Sequence, residues 1–221
     1  MSTFHFDYLL IARNLPLFLK GIIITIEISA VASAATLIWG LILLFFRISK
    51  RNIFYQPAMG YIEFVRNVPI LIQMYIIYFG LPSLGLAFSS FTCAAIALTL
   101  QNGGYMAEIF RGAVESVSTT QYESGFALGM KRSLIMRKII LPQALRSAIP
   151  STVNQLITLL KDSSLASSIA LVEITHVGKL LTERTAATYE VFITIALIYI
   201  LISSIISLVL NYYERRVRVL R

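Results

Sequence analysis

The sequence predicts an all-α integral membrane protein with five transmembrane helices. Three observations carry that expectation. The mean hydropathy is +0.77. Only 14% of the 221 residues are charged while 57% are hydrophobic, whereas a soluble domain is about a quarter charged. The basic residues also segregate sharply between alternate connections of the five apolar stretches.

Gly21 to Phe46 carries a single charged residue, Glu27. As a helix it would be about 39 Å long, enough to cross a hydrocarbon core of ~30 Å with some tilt. Arg47, Lys50 and Arg51 close it. Asn67 to Ala107 has no charged residue and is long enough for two spans of about 20 residues, with Gly80-Leu81-Pro82-Ser83 as the turn between them. Ile53 to Arg66 mixes aromatic and charged residues and is expected to lead in along the membrane surface. Pro69 then falls near the start of a span, where proline is tolerated. Ser147 to Val172 is the fourth span, interrupted by Lys161 and Asp162. Val191 to Leu210 is the fifth, closed by Glu214, Arg215, Arg216 and Arg218.

Five crossings place the termini on opposite sides. Fourteen Lys and Arg residues (within Arg47 to Arg66, Arg111 to Arg146 and Arg215 to Arg221) fall on one side, against four on the other: Arg13, Lys20, Lys179 and Arg184. The positive-inside rule therefore puts the amino terminus outside and the carboxyl terminus in the cytoplasm. The net charge of +8 follows from this topology, and nucleic acid is not an expected partner. A cleavable leader is not expected. Cys93 is the single cysteine, which excludes an intrachain disulfide. His5 and His176 lack ligand spacing, so no metal site is expected. No nucleophile, base or metal constellation suggests catalysis. Gly103-Gly104 reads as a close-packing or unwinding point, not as a phosphate loop.

Residues 113–146 form a charged island between the third and fourth spans. Ser118 and Gln121 have capping-box spacing, so a helix should start near Thr119. Gly129 suits its C-terminus. A second short helix fits Lys131 to Ile140, with Ile135, Met136, Ile139 and Ile140 on one face. Leu141-Pro142 should stop it, because the residue before proline avoids the helical region. Two short helices hinged at a glycine make a rigid elbow. Its apolar face with a basic rim suits a groove on a partner protein, or equally an anionic lipid surface.

The island resembles the EAA loop of ABC-importer permeases, which reads Glu-Ala-Ala, three residues, Gly, nine residues, Ile, one residue, Leu-Pro. Glu123, Gly129, Ile139, Leu141 and Pro142 fall at those positions. Ser124-Gly125 replaces two alanines, and Gly125 should weaken the first helix by ~1 kcal/mol. YIEFVRNVPILIQMYIIYFGLP (61–82), NGGYMAEIFRGA (102–113), LPQALRSAIPSTVNQ (141–155) and LLKDSSL (159–165) are similar to the polar amino acid branch of that family. The resemblance implies a single permease domain over 1–221, of the type I importer kind, in a bacterial cytoplasmic membrane. It implies a second permease subunit, identical or related, and a solute-binding protein delivering an amino acid from outside. It also implies a cytoplasmic ATPase dimer that binds ATP and Mg, gripping residues 119–142. The chain itself needs no cofactor and no catalytic residue.

Ionisable and polar groups inside spans are functional candidates. Asn154, Thr158 and Asp162 follow i, i+4, i+8 with Lys161 beside them, which suits either a pathway lining or gate, or a helix-to-helix lock. Glu27, about 9 Å in from the outer end counted from Gly21, could meet a cationic substrate or be a snorkelled acid. It slightly favours a basic amino acid over glutamine or an acidic one. Gln73, Gln101 and Asn102 could bind substrate or tie helices together. Glu63 with Arg66 and Glu108 with Arg111 should be local ion pairs. An ion-gradient-driven transporter or channel is the alternative, and the lack of a visible inverted repeat argues against it.

Overall fold

In the computed structural model, which describes residues 6–49 and 51–218, every regular element is helical. Lys50, Arg221 and His5, used above, lie outside the described residues. The elements are α1 (Tyr8–Arg13), α2 (Leu15–Arg47), α3 (Asn52–Asn67), α4 (Ile70–Tyr75), α5 (Ser90–Glu115), α6 (Thr119–Ala127), α7 (Arg132–Ile135), α8 (Leu141–Asp162), α9 (Ile174–Thr185) and α10 (Thr188–Arg218). π turns follow α4 (Ile76–Gly80) and α7 (Met136–Ile140), and 3-10 segments cover Leu81–Leu84 and Ser163–Ile169. Leu15–Arg47 and Thr188–Leu210 are each long and apolar enough to cross a membrane, and counting two broken helix pairs as spans makes four. The stretch expected as the third span is helical, as α5, but α5 is not among the helices long and apolar enough to cross; Gln101, Asn102 and the two glycines beside them lower its hydropathy.

The chain divides into two compact units: segments up to Ser33, Pro69–Leu98 and Ile157–Ile206 in the first; Ala34–Val68, Thr99–Leu156 and the chain from Ser207 in the second.

In the first unit, Phe18, Ile174, Val177, Leu181, Val191 and Ile195 form a buried cluster. Pro69, with extended ψ, is the N-cap of α4, as its position near a span start anticipated. The expected turn at Gly80 to Ser83 falls later. The chain stays wound through Pro82, which sits in the first turn of the 3-10 segment where its missing N–H is not needed, and turns at Gly85 (φ 81°). The fourth expected span, Ser147 to Val172, ends its α-helical part at Asp162 and passes into the 3-10 segment, closed by Ala170 at φ 60°. Helix α9 was not anticipated. Its N-cap is a fully buried carboxylate, Glu173, accepting from the backbone N–H of Thr175 (2.9 Å) and His176 (2.8 Å) and from the Tyr199 hydroxyl (3.1 Å).

The second unit holds α5 from Thr99 onward. Gly103 and Gly104 lie within an unbroken helix, so close packing is their role. A Cβ on Gly103 would collide with the Trp39 ring, and one on Gly104 would stand 2.6 Å from Val65 Cγ2. Trp39 Nε1 donates to the Tyr61 hydroxyl (2.9 Å), which donates to the Leu100 carbonyl (3.0 Å), tying α2, α3 and α5. A larger cluster of Leu44, Met106, Phe110, Ala113, Val114, Ile135, Ile140, Ala144 and Ala148 is sealed from water.

Candidate functional site

The elbow belongs to the second unit. Ser118 caps α6, its hydroxyl accepting from Thr120 N–H (3.3 Å). The helix closes with paired reverse bonds, Met130 N–H to Gly125 C=O (3.0 Å) and Gly129 N–H to Phe126 C=O (2.9 Å). Gly129 takes φ 72°, the left-handed residue that this Schellman closure requires.

The second helix departs from expectation in two ways. It does not stop at Leu141-Pro142. The π turn Met136–Ile140 leads directly into α8, with the Leu141 N–H bonded back to the Met136 carbonyl, and Pro142 takes the second position of α8. Its isoleucine face is also not free for a partner. Ile135 and Ile140 are fully buried in the core, with Ile139, Met136 and Leu141 packed against it. The apolar groups the elbow leaves open are Phe126 (53% exposed), Leu128 (78%) and Leu134 (44%). Gly125, the residue expected to soften α6, is the buried residue of that helix, with a built Cβ only 2.7 Å from Ile135 Cγ1.

A cleft of about 810 Å³ opens beside α6, lined in part by Arg47, Tyr55, Arg111, Tyr122, Glu123, Phe126 and Arg132. One wall is an ion-pair network that sequence spacing shows only in part. Glu108 pairs with Arg111 as expected (2.9 Å) and also with Arg47 of α2 (3.4 Å). Arg111 reaches on to Glu115, and Glu115 and Glu108 together hold its guanidinium more firmly charged. The Arg47 guanidinium lies over the Tyr55 ring at 4.7 Å. Among the described residues, Glu123 and Arg132 form no ion pair within 4.0 Å, although they share the cleft. Nor does Glu63 pair with Arg66, whose guanidinium covers the Tyr105 ring at 5.1 Å.

The remaining polar candidates separate by environment. Asn102 is buried and accepts from Gln155 Nε2 (2.8 Å), a tie between α5 and α8. The Gln101 Oε1 is also buried and has no hydrogen-bond partner among the described residues. Gln73 is buried on α4. On α8, Asn154, Thr158 and Lys161 are exposed, with Asp162 partly so, while Leu159 and Leu160 are buried. Ser147 and Ser151 extend the same exposed row at three- and four-residue steps, so this stripe is longer than the sequence reading proposed. It faces away from the subunit's own packing, and lipid is a costly neighbour for its cation. Glu27 is exposed on α2, and because that helix starts at Leu15 the residue lies about 18 Å from its beginning, twice the expected depth. No group of His, Cys, Asp and Glu suited to a metal occurs among the described residues.

Comparison with known proteins agrees with this architecture. Residues 35–219 match the model of the binding-protein-dependent transport system inner membrane component. The chain is 36% identical to the probable amino-acid permease protein YxeN of Bacillus subtilis (strain 168), covering 97% of this chain and 96% of that one. It is 36% identical to the glutamine transport system permease protein GlnP of Escherichia coli (strain K12), covering 98% and 100%. Among solved structures it superposes with a TM-score of 0.91 on an amino acid ABC transporter crystallised with histidines, at 31% identity over 96% of this chain and 100% of that one. A methionine transporter in an inward-facing conformation shares the fold at a TM-score of 0.79 and 20% identity. With its helical membrane architecture and its matched length, the chain belongs to the family of binding-protein-dependent transport system inner membrane components, multi-pass transport subunits of ABC importers and not enzymes.

Proposed function

We propose that this chain is the translocation subunit of an ATP-driven importer of polar amino acids. In this reading, five spans leave the amino terminus outside and the elbow in the cytoplasm. A second permease subunit, identical or related, completes the pathway. A solute-binding protein delivers the amino acid, and a separate ATPase dimer holds the ATP and Mg. The observation that carries it is the elbow: Phe126, Leu128 and Leu134 are apolar, exposed and mounted on a capped helix and the short helix packed against it, both anchored in the core. A rigid lever with an uncovered apolar tip suits docking into a partner groove. Closure of the ATPase dimer on ATP would move α6 and α7 as one body and rock the helices joined to them. The exposed stripe from Ser147 to Lys161 supplies a polar wall for the pathway or a seam to the second subunit. The amino acid relatives support the substrate class.

A basic amino acid is favoured within that class, because Glu27 is exposed at depth on a span and supplies a negative charge. Purifying the native complex and identifying its bound small molecule by mass spectrometry tests the proposal. An ATPase subunit and a polar amino acid are expected, and a complex lacking both overturns it. Glu27→Gln should weaken uptake of cationic amino acids and spare neutral ones. Unchanged cationic uptake would remove the preference.

A further inference from the structure

Gly125 stands where the family loop has an alanine, and the structure gives that departure a purpose. It is the buried residue of α6. A Cβ there would lie 2.7 Å from Ile135 Cγ1 and 2.8 Å from its Cδ1. Ile135 cannot easily yield. It is β-branched, fully buried, and packed in the cluster that holds Phe110 and Met106 of α5, Leu44 of α2 and Ile140. Its side chain therefore reaches from the core to the backbone of the elbow helix, and the absence of a Cβ on Gly125 lets α6 seat directly on it. The Gly125 carbonyl also accepts the closing bond from Met130, so the seat and the hinge share one residue.

We propose that Gly125 and Ile135 form a matched pair that positions the lever: a small residue on α6 and a large one on α7 set the separation at which force passes from the elbow into the helical core. This rests on the reading of the elbow as the ATPase-coupling site. Gly125 is thus a positioning residue, and the family's alanine is disfavoured here while Ile135 is present. Overpacking a filled core site forces the neighbours apart, and here the displaced body is the lever.

The test uses the chain reconstituted with its ATPase and second subunit in liposomes. ATP hydrolysis and uptake are both measured for wild type, Gly125→Ala, Ile135→Ala and the double variant. Gly125→Ala should lower uptake per ATP hydrolysed by about tenfold while folding and assembly persist, a loss within reach of overpacking strain. The double variant should recover most of that ratio, which a generally weakened helix would not do. A wild-type ratio in Gly125→Ala, or a loss that Ile135→Ala does not relieve, overturns the pairing. A parallel arm keeps failure of the pairing distinct from failure of the coupling reading. Cys93 is buried, so Leu128→Cys offers a selectively reactive thiol for crosslinking to the ATPase. No crosslink in the assembled complex counts against the coupling reading, and the pairing falls with it. A crosslink with an unaffected Gly125→Ala ratio counts against the pairing alone.

Discussion

Replacing Glu108 by alanine should destabilise the C-terminal ends of α2 and α5 together. Its carboxylate takes Arg111 at 2.9 Å and Arg47 at 3.4 Å, with side-chain exposures of 19% for Glu108, 28% for Arg111 and 16% for Arg47. Hydrogen bonds to charged groups contribute about 1.5–3 kcal/mol each when well shielded. The Arg47 contact is long, and Arg111 keeps Glu115, so the net loss is about 2 kcal/mol. For a chain of this size that lowers Tm by roughly 4–8 °C, readable by thermal unfolding in detergent. Glu115→Ala is the informative control. Its contact with Arg111 is the shorter one, yet Glu115 is 63% exposed, so solvent screening should hold its effect below about 0.5 kcal/mol. Equal losses in the two variants, or none in Glu108→Ala, would refute the argument that burial and not contact length ranks these pairs.

Two further outcomes follow from packing. Gly104→Leu should destabilise by about 1–3 kcal/mol because Val65 already fills the space, whereas Gly112→Ala, with nothing near its built Cβ, should be neutral or stabilise α5 by up to ~1 kcal/mol; thermal unfolding of the pair separates them. Glu173→Ala strips α9 of its N-cap and leaves two N–H groups and the Tyr199 hydroxyl without their acceptor, at a cost of about 2–3 kcal/mol, while Glu173→Gln, which keeps an acceptor oxygen, should lose less. Amide exchange at Thr175 and His176 should rise with the first substitution and much less with the second.

Much of this architecture was legible because membrane sequence writes its constraints plainly. An apolar run of span length and a charged island need no tertiary information, and Ser118 and Gly129 mark a helix start and stop through local chemistry alone. The reading went wrong where tertiary packing decides. Ile135 and Ile140 form an apolar face in any helical projection, but whether that face meets a partner or the chain's own core depends on α5 and α2, which lie far away in sequence. The close fit of Gly125 against Ile135 was not legible, because helix propensity says nothing about the side chain on the facing helix. Pro142 looked like a terminator because the π turn that brings it into the first turn of α8 has no pattern of its own. The Arg47–Glu108 contact joins residues 61 apart, beyond any local spacing rule. Phe126, Leu128 and Leu134 could have been found by asking which apolar residues lie off the isoleucine face.

The central claim is that the elbow receives its motion from a separate nucleotide-driven partner. Uptake of radiolabelled amino acid into proteoliposomes tests it most directly, comparing permease subunits alone with permease plus ATPase, each with and without ATP. Accumulation is expected only when the ATPase and ATP are both present. Accumulation by the permease subunits alone, driven by an imposed ion gradient, would contradict it.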